Sequence, residues 1–259
     1  MSESQCPIPS AVPGKNRSRP QEIERKLMSP ESARPQAERV LESLLGACSE
    51  QQALDTVYYD TADQHLRRQR IALRVRRQGE RWIQTLKGGG GVQGGLHKRE
   101  EWNWEIPSRE VHIPCLAEAE WGDGPSAESL TPVFSTTFER RIWWMRLPGV
   151  EIEVALDQGL VCSGNRRAPL VEVELELKAG SAAALFDLAE RFAAQVPCWL
   201  GFVSKAARGY ALHDADGGKG STDQVLGRKS PALPVVLRSA DEALRQLSAY
   251  LDRAMAERS

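Results

Sequence analysis

The feature that most constrains this chain is a set of strand-like segments in which every second residue is charged. Glu172, Glu174, Glu176 and Lys178 alternate with Val171, Val173, Leu175 and Leu177. Successive side chains of a strand point to opposite faces, so these four charges share one face and the four apolar residues the other. The same parity groups Glu22, Glu24 and Lys26, and sets Glu151, Glu153 and Asp157 against Ile152, Val154 and Leu156. It also sets Arg99, Glu101, Asn103 and Glu105 against Trp102, Trp104 and Ile106, while Arg74 and Arg76 form a basic pair and Lys87 follows Thr85.

For any one strand, the solvated face of a half-buried sheet explains such a pattern. It does not explain the set. Three carboxylates at every second position repel one another along the strand unless cations lie between them. Oxygen-rich clusters of that kind suit Mg²⁺ or Mn²⁺. Arg74, Arg76, Lys87, Arg99, Arg140, Lys205 and Arg208 come from other segments, as a polyanion gripped from several sides requires, and arginine matches phosphate oxygens with a fork of donors. A closed antiparallel barrel with a polar bore and an apolar, helix-covered outside collects both sets.

The rest of the chain fits that plan. From Thr56 to Leu177 turn signals separate one strand candidate after another, which predicts an antiparallel sheet or barrel rather than βαβ units. Helices are expected from about 35 to 46 and from about 181 to 195, the second with Leu185, Leu188, Ala189 and Phe192 on one face. Residues 1–19 read as a disordered tail, 214–232 as a linker, and 233–259 as a segment with an amphipathic helix carrying Leu244, Leu247 and Leu251. The 34 Lys and Arg nearly cancel the 35 Asp and Glu, so no overall field favours nucleic acid or a membrane surface. Five scattered cysteines without a CxxC pair, no signal segment and no apolar span predict a cytoplasmic protein with reduced thiols.

Three tempting signals carry less. The glycines Gly88–Gly91, Gly94 and Gly95 lack the spacing and the following Lys-Ser/Thr of a phosphate loop, and read as a flexible hairpin at a tunnel mouth with Lys87 and Lys98 in reach of substrate. His65, His97, His112 and His213 are too far apart for a zinc signature and read as surface or loop residues. The tryptophans, among them Trp102, Trp104, Trp143 and Trp144, read as outer-wall packing rather than base-stacking groups.

Seven ordered motifs resemble the CYTH domains, also called triphosphate tunnel metalloenzymes, over roughly residues 20–213. They are Glu22-x-Glu24-x-Lys26, Arg74-x-Arg76, Lys87, Phe138-x-Arg140-x-x-Trp143, Glu153-x-Ala155-x-Asp157-x-Gly159, Glu172-x-Glu174-x-Glu176, and Ser204-Lys205-x-x-Arg208-Gly209-Tyr210. The variant looks most like bacterial inorganic triphosphatases in which a helical CHAD domain follows, and residues 233–259 resemble the start of that domain. The resemblance implies an α+β fold built on a closed eight-stranded antiparallel tunnel. It implies a two-metal site for Mg²⁺ or Mn²⁺, with Glu22, Glu24, Glu172 and Glu174 as ligands and Asp157 and Glu153 in support. Lys26, Arg74, Arg76, Lys87, Arg99, Arg140, Lys205 and Arg208 would hold triphosphate or a short polyphosphate, with Glu22, Glu24, Lys26, Arg76 and Glu174 at the chemistry. The implied reaction is hydrolysis of triphosphate to pyrophosphate and phosphate by a monomer or homodimer, and no general base is legible. The same family also includes nucleoside and thiamine triphosphatases and adenylate cyclases, and a non-catalytic polyphosphate-binding module would use the same bore.

Overall fold

The computed structural model of the protein describes residues 20–119 and 124–216; the tail expected over 1–19, the linker beyond 216 and the helix expected within 233–259 lie outside the described residues. The described residues form nine strands: β1 (Gln21–Met28), β2 (Glu50–Asp60), β3 (Ala72–Gln78), β4 (Arg81–Gln93), β5 (Leu96–Ile106), β6 (Thr131–Leu147), β7 (Val150–Ser163), β8 (Arg166–Ala179) and β9 (Trp199–Leu200). Five α-helices accompany them among the described residues: α1 (Arg34–Leu45), α2 (His65–Arg68), α3 (Ile113–Leu116), α4 (Ala183–Ala193) and α5 (Lys205–Asp216).

Strand pairing runs β5-β4-β3-β2-β6-β7-β8-β1, and β1 pairs back onto β5 with Glu22 opposite Arg99 and Glu24 opposite His97. Every pair is antiparallel, so eight strands close into the expected barrel, and β9 adds a short ladder beside Leu27 and Met28. Closure removes the sheet edges. Gly94 and Gly95, at φ 58° and 75°, form the tip joining β4 to β5, where positive φ at both central residues matches the twist of the paired strands. The glycines before them shift the register between Gly88 and Gly91. A Cβ at Gly90 would collide with the Lys98 carbonyl and the Arg99 backbone, so this run is a bulged hairpin arm.

The outer wall is apolar where helices cover it. Trp143, Ile152, Val154, Leu156, Val173 and Leu175 pack with Ala37, Val40 and Leu41 of α1 and with Leu185, Leu188 and Phe192 of α4. The helical residues fall at i, i+3 and i+4 in α1 and at i, i+3 and i+7 in α4, one face of each helix. Pro35 opens α1, and its end is closed by Gly46, whose N–H donates to the Glu42 carbonyl at 2.9 Å. Trp102 and Trp104 pack on a second outer cluster with Leu66 of α2 and Leu116 of α3. Trp144 departs from the expected outer packing. It is paired with Glu153, on the face opposite Trp143, and lies beneath the Arg146 guanidinium at 4.7 Å; consecutive strand residues cannot share a face.

Inside the barrel, one end is filled by Met28, Leu54, Tyr58, Phe134, Phe138, Val161 and Leu170, against which α5 packs Tyr210, Ala206 and Leu212. That helix runs through Asp216, three residues into the expected linker. Asp214 accepts two hydrogen bonds from Arg67, at 2.9 and 2.8 Å, and so ties the last turn of α5 to α2.

Candidate active site in the barrel bore

The remaining inward positions are mostly charged, with Gln78, Thr85 and Asn103 among the neutral ones. They enclose a cavity of about 320 Å³, bordered by Lys26, Arg74, Arg76, Lys87, Arg99, Arg140 and Lys205 and by Glu22, Glu101, Glu174 and Glu176. An eight-stranded barrel leaves room for side chains and one small ligand. The parity that groups these residues in the sequence thus becomes the inner surface of a closed wall.

One side is acidic. Asp157 stands opposite Glu172 across the β7–β8 ladder, and oxygens from Asp157, Glu172 and Glu174 lie within 4.8 Å of one another. Three cations hold this cluster. Arg140 grips Asp157 with two bonds of 2.7 Å and reaches Glu174 at 2.6 Å. Lys205, the first residue of α5, meets Asp157 at 2.6 Å, Glu174 at 2.9 Å and also Glu172. Lys26 binds Glu24 at 3.0 Å and also Glu174. Burial by itself would raise the Glu174 pKa, but Lys205, Lys26 and Arg140 hold it well below the usual carboxylate range. Glu172 goes the other way: its burial outweighs the pull of Lys205 and Lys26, and its pKa is raised.

The facing side is basic. Lys87 sits 2.7 Å from Glu22 and 3.0 Å from Glu101, and Arg99 donates to Glu24. Arg74 lies 3.9 Å from Glu101 and also contacts the Tyr58 hydroxyl. Arg76 has no carboxylate in ion-pair contact among the described residues; its Nε donates to Thr56 Oγ1 at 3.2 Å. Burial, together with repulsion from Arg74 and Arg140, lowers its pKa to about 9. A guanidinium remains charged under nearly all conditions, so this position is short of an anion.

Most residues expected at the site therefore converge. Glu153 lies nearer the rim, 3.5 Å from Lys178. Arg208 points its guanidinium to Met28 Sδ at 2.9 Å and does not border the cavity. Lys98 is exposed on the outer face, because it has the opposite parity to Arg99. His97 is not a surface residue: it points inward, is 2% exposed and lies 2.7 Å from the Gly201 carbonyl through Nε2. Sequence reasoning put Glu101 on the right face but gave it no role, although it steadies both Arg74 and Lys87. Its parity with Arg99 was the available signal. Tyr58, which buttresses Arg74, had no comparable signal.

The donor set fits a divalent cation. Asp157, Glu172 and Glu174 present carboxylate oxygens only, and Glu172 Oε2 is buried without a hydrogen-bond partner. Magnesium and manganese take such ligands.

The bore also sets a pH dependence. Burial tends to raise the Glu101 pKa, but Lys87 and Arg74 bring it down from 4.5 to about 2, and Glu24, Asp157 and Glu174 are lowered too. A carboxylate with a lowered folded-state pKa contributes stability that is complete above its ordinary value and is lost as pH falls towards its folded value. Glu176, raised to about 7 chiefly by burial, opposes this only between its ordinary value and about 7. The thermal midpoint of the metal-free protein should therefore fall between about pH 5 and about pH 2.5. Glu101→Gln should flatten that fall, and an unchanged slope would show that its ion pairs contribute nothing.

Comparison with known proteins agrees with this architecture. The CYTH domain model matches residues 20–210. The inorganic triphosphatase of Haemophilus influenzae is 37% identical over 163 residues, which cover 61% of this chain and 46% of that protein. The chain thus spans about half the length of that curated relative. Among solved structures, a Hippeastrum protein described as an adenylyl cyclase with a dominant triphosphatase activity superposes with a TM-score of 0.57 at 20% identity, covering 73% of this chain and 95% of that one. At that identity the likeness concerns the fold. With the family model covering nearly the whole barrel and α5, the chain belongs to the CYTH domain family.

Proposed function

We propose that this chain hydrolyses inorganic triphosphate to pyrophosphate and orthophosphate in the barrel bore, with Mg²⁺ or Mn²⁺ held in a two-metal site by Glu22, Glu24, Glu172 and Glu174 and supported by Asp157 and Glu153. The observation that carries the reading is the enclosed cavity with a carboxylate cluster on one side and Arg74, Arg76, Lys87 and Arg99 on the other. A small, highly charged anion matches that volume and charge pattern.

Among the described residues Arg76 is a bore cation without an acidic partner in ion-pair contact, so a phosphoryl oxygen supplies the missing anion there. Arg74 and Lys87 orient neighbouring phosphates while Glu101 keeps both side chains extended into the bore. Arg140 and Lys205, each bonded to the acid cluster, stand where they can stabilise negative charge that grows on the transferred phosphoryl group and on the departing pyrophosphate. Divalent metal, when bound, neutralises phosphate charge and activates water for attack on phosphorus. Lys26 keeps Glu24 and Glu174 ionised and therefore competent as ligands.

Phosphate release from triphosphate should require added Mg²⁺ or Mn²⁺ and stop on chelation with EDTA, with pyrophosphate and orthophosphate in equal amounts. Comparison with ATP and thiamine triphosphate ranks the substrates. Tight triphosphate binding with no turnover under any divalent ion would instead identify a binding module.

A further inference from the structure

A second cavity, of about 460 Å³, adjoins the bore at the end where α5 enters, and Ala72, Lys87, Arg99, Ser204 and Ala206 border both. Its chemistry differs from that of the bore. Four cations face it, Arg67, Arg70, Lys87 and Arg99, and no carboxylate is among its described lining residues. A space with that wall favours an anion without metal, since its described lining offers a divalent cation no carboxylate, only the neutral side-chain hydroxyls of Ser204 and Tyr210.

Two of these cations come from the α2 turn, which is built at a conformational cost. Both flanking residues, Gln64 and Arg70, have left-handed backbones at φ 56° and 58° without being glycine, a conformation that ordinary side chains disfavour. Asp60 nevertheless holds the turn, accepting the N–H groups of Leu66 at 2.8 Å and Arg67 at 3.0 Å and the Tyr210 hydroxyl at 2.7 Å. Arg67 is spanned to Asp214, but the exposed Arg70 guanidinium has no ion pair among the described residues. Arg70 is thus an unmatched cation, presented on a fixed turn at the side of a cavity that opens into the bore.

Resting on the triphosphatase reading above, we infer that this annex is a metal-free subsite for the phosphates beyond the third of a linear polyphosphate, with Arg70 as its specificity-determining residue. The reacting end of the chain lies in the bore beside the carboxylates and the tail passes Lys87 and Arg99 into the annex. Water adds to the terminal phosphorus while its bond to the bridging oxygen breaks, giving orthophosphate and a chain one phosphate shorter, with the water proton taken up by the released phosphates. The charge of the annex favours this occupant over an esterified organic group, which would leave Arg70 unmatched.

The test compares triphosphate, tetraphosphate and ATP on the wild-type chain and on Arg70→Glu and Arg70→Lys, by steady-state kinetics and by calorimetric titration of the metal-free protein. Arg70→Glu should raise the KM and Kd for tetraphosphate about tenfold or more while triphosphate values stay within about twofold, and Arg70→Lys should restore most of the loss. Equal effects on triphosphate and tetraphosphate, no effect on either, or a loss confined to ATP would each overturn the subsite. If the wild-type chain turns over none of the three, the hydrolase reading fails, and the titration still decides the annex by the same comparison.

Discussion

Glu174→Gln should lower phosphate release from triphosphate by about a hundredfold or more, the scale seen when a preorganised charged or polar group is lost from a site of this kind. Glu174 is the shared partner of Lys26, Lys205 and Arg140 and belongs to the acid cluster. The amide keeps the shape but removes the charge that holds all three cations, so a metal ligand and the alignment of three bases are lost together. The same change leaves those buried cations sharing fewer anions, and breaking a buried pair from one side costs about 3–5 kcal/mol. Phosphate release and thermal unfolding measured on one preparation test both effects. Near-normal turnover by a folded Glu174→Gln protein would remove Glu174 from the site.

Arg76 and Arg140 should separate binding from stability. Both are basic, inward and close to Phe138. Arg140 makes three hydrogen bonds to Asp157 and Glu174, whereas Arg76 is repelled by Arg74 and Arg140 and bonds Thr56. Arg140→Ala should destabilise the ligand-free protein by about 3 kcal/mol or more, because it uncovers buried carboxylates. Arg76→Ala should leave that stability unchanged or raise it, because it removes an uncompensated buried charge. With substrate the order changes. Arg76→Ala should raise the KM for triphosphate roughly ten- to a hundredfold, the value of a charge-assisted hydrogen bond to phosphate. Equal destabilisation by the two substitutions would mean that Arg76 has an acidic partner in the free protein.

Much of this arrangement was legible beforehand. Alternation in Glu22-Ile23-Glu24-Arg25-Lys26 and in Val171 to Lys178 identified inward and outward residues, and the repulsion within the carboxylate run pointed to cations between them. The apolar faces of α1 and α4 were readable from their spacing. Other assignments needed coordinates. Arg208 looked like one more phosphate ligand, but its position on α5 takes its guanidinium to Met28. His97 looked like a loop residue, but β5 begins early enough to turn its ring inward against the loop after β9. The annex was invisible, because α2, the glycine hairpin and the start of α5 are far apart along the chain.

By itself the sequence determined which side chains share a face, because that follows from the local geometry of an extended backbone and is independent of what the strand pairs with. The tertiary structure alone decided which acid meets which base. Lys26 and Glu174 are 148 residues apart, and Lys205 reaches Asp157 from a helix rather than a strand. Such partners become neighbours only when β1 closes on β5 and β8, and the strength of a charge pair depends on separation and burial, neither of which alternation along a strand contains.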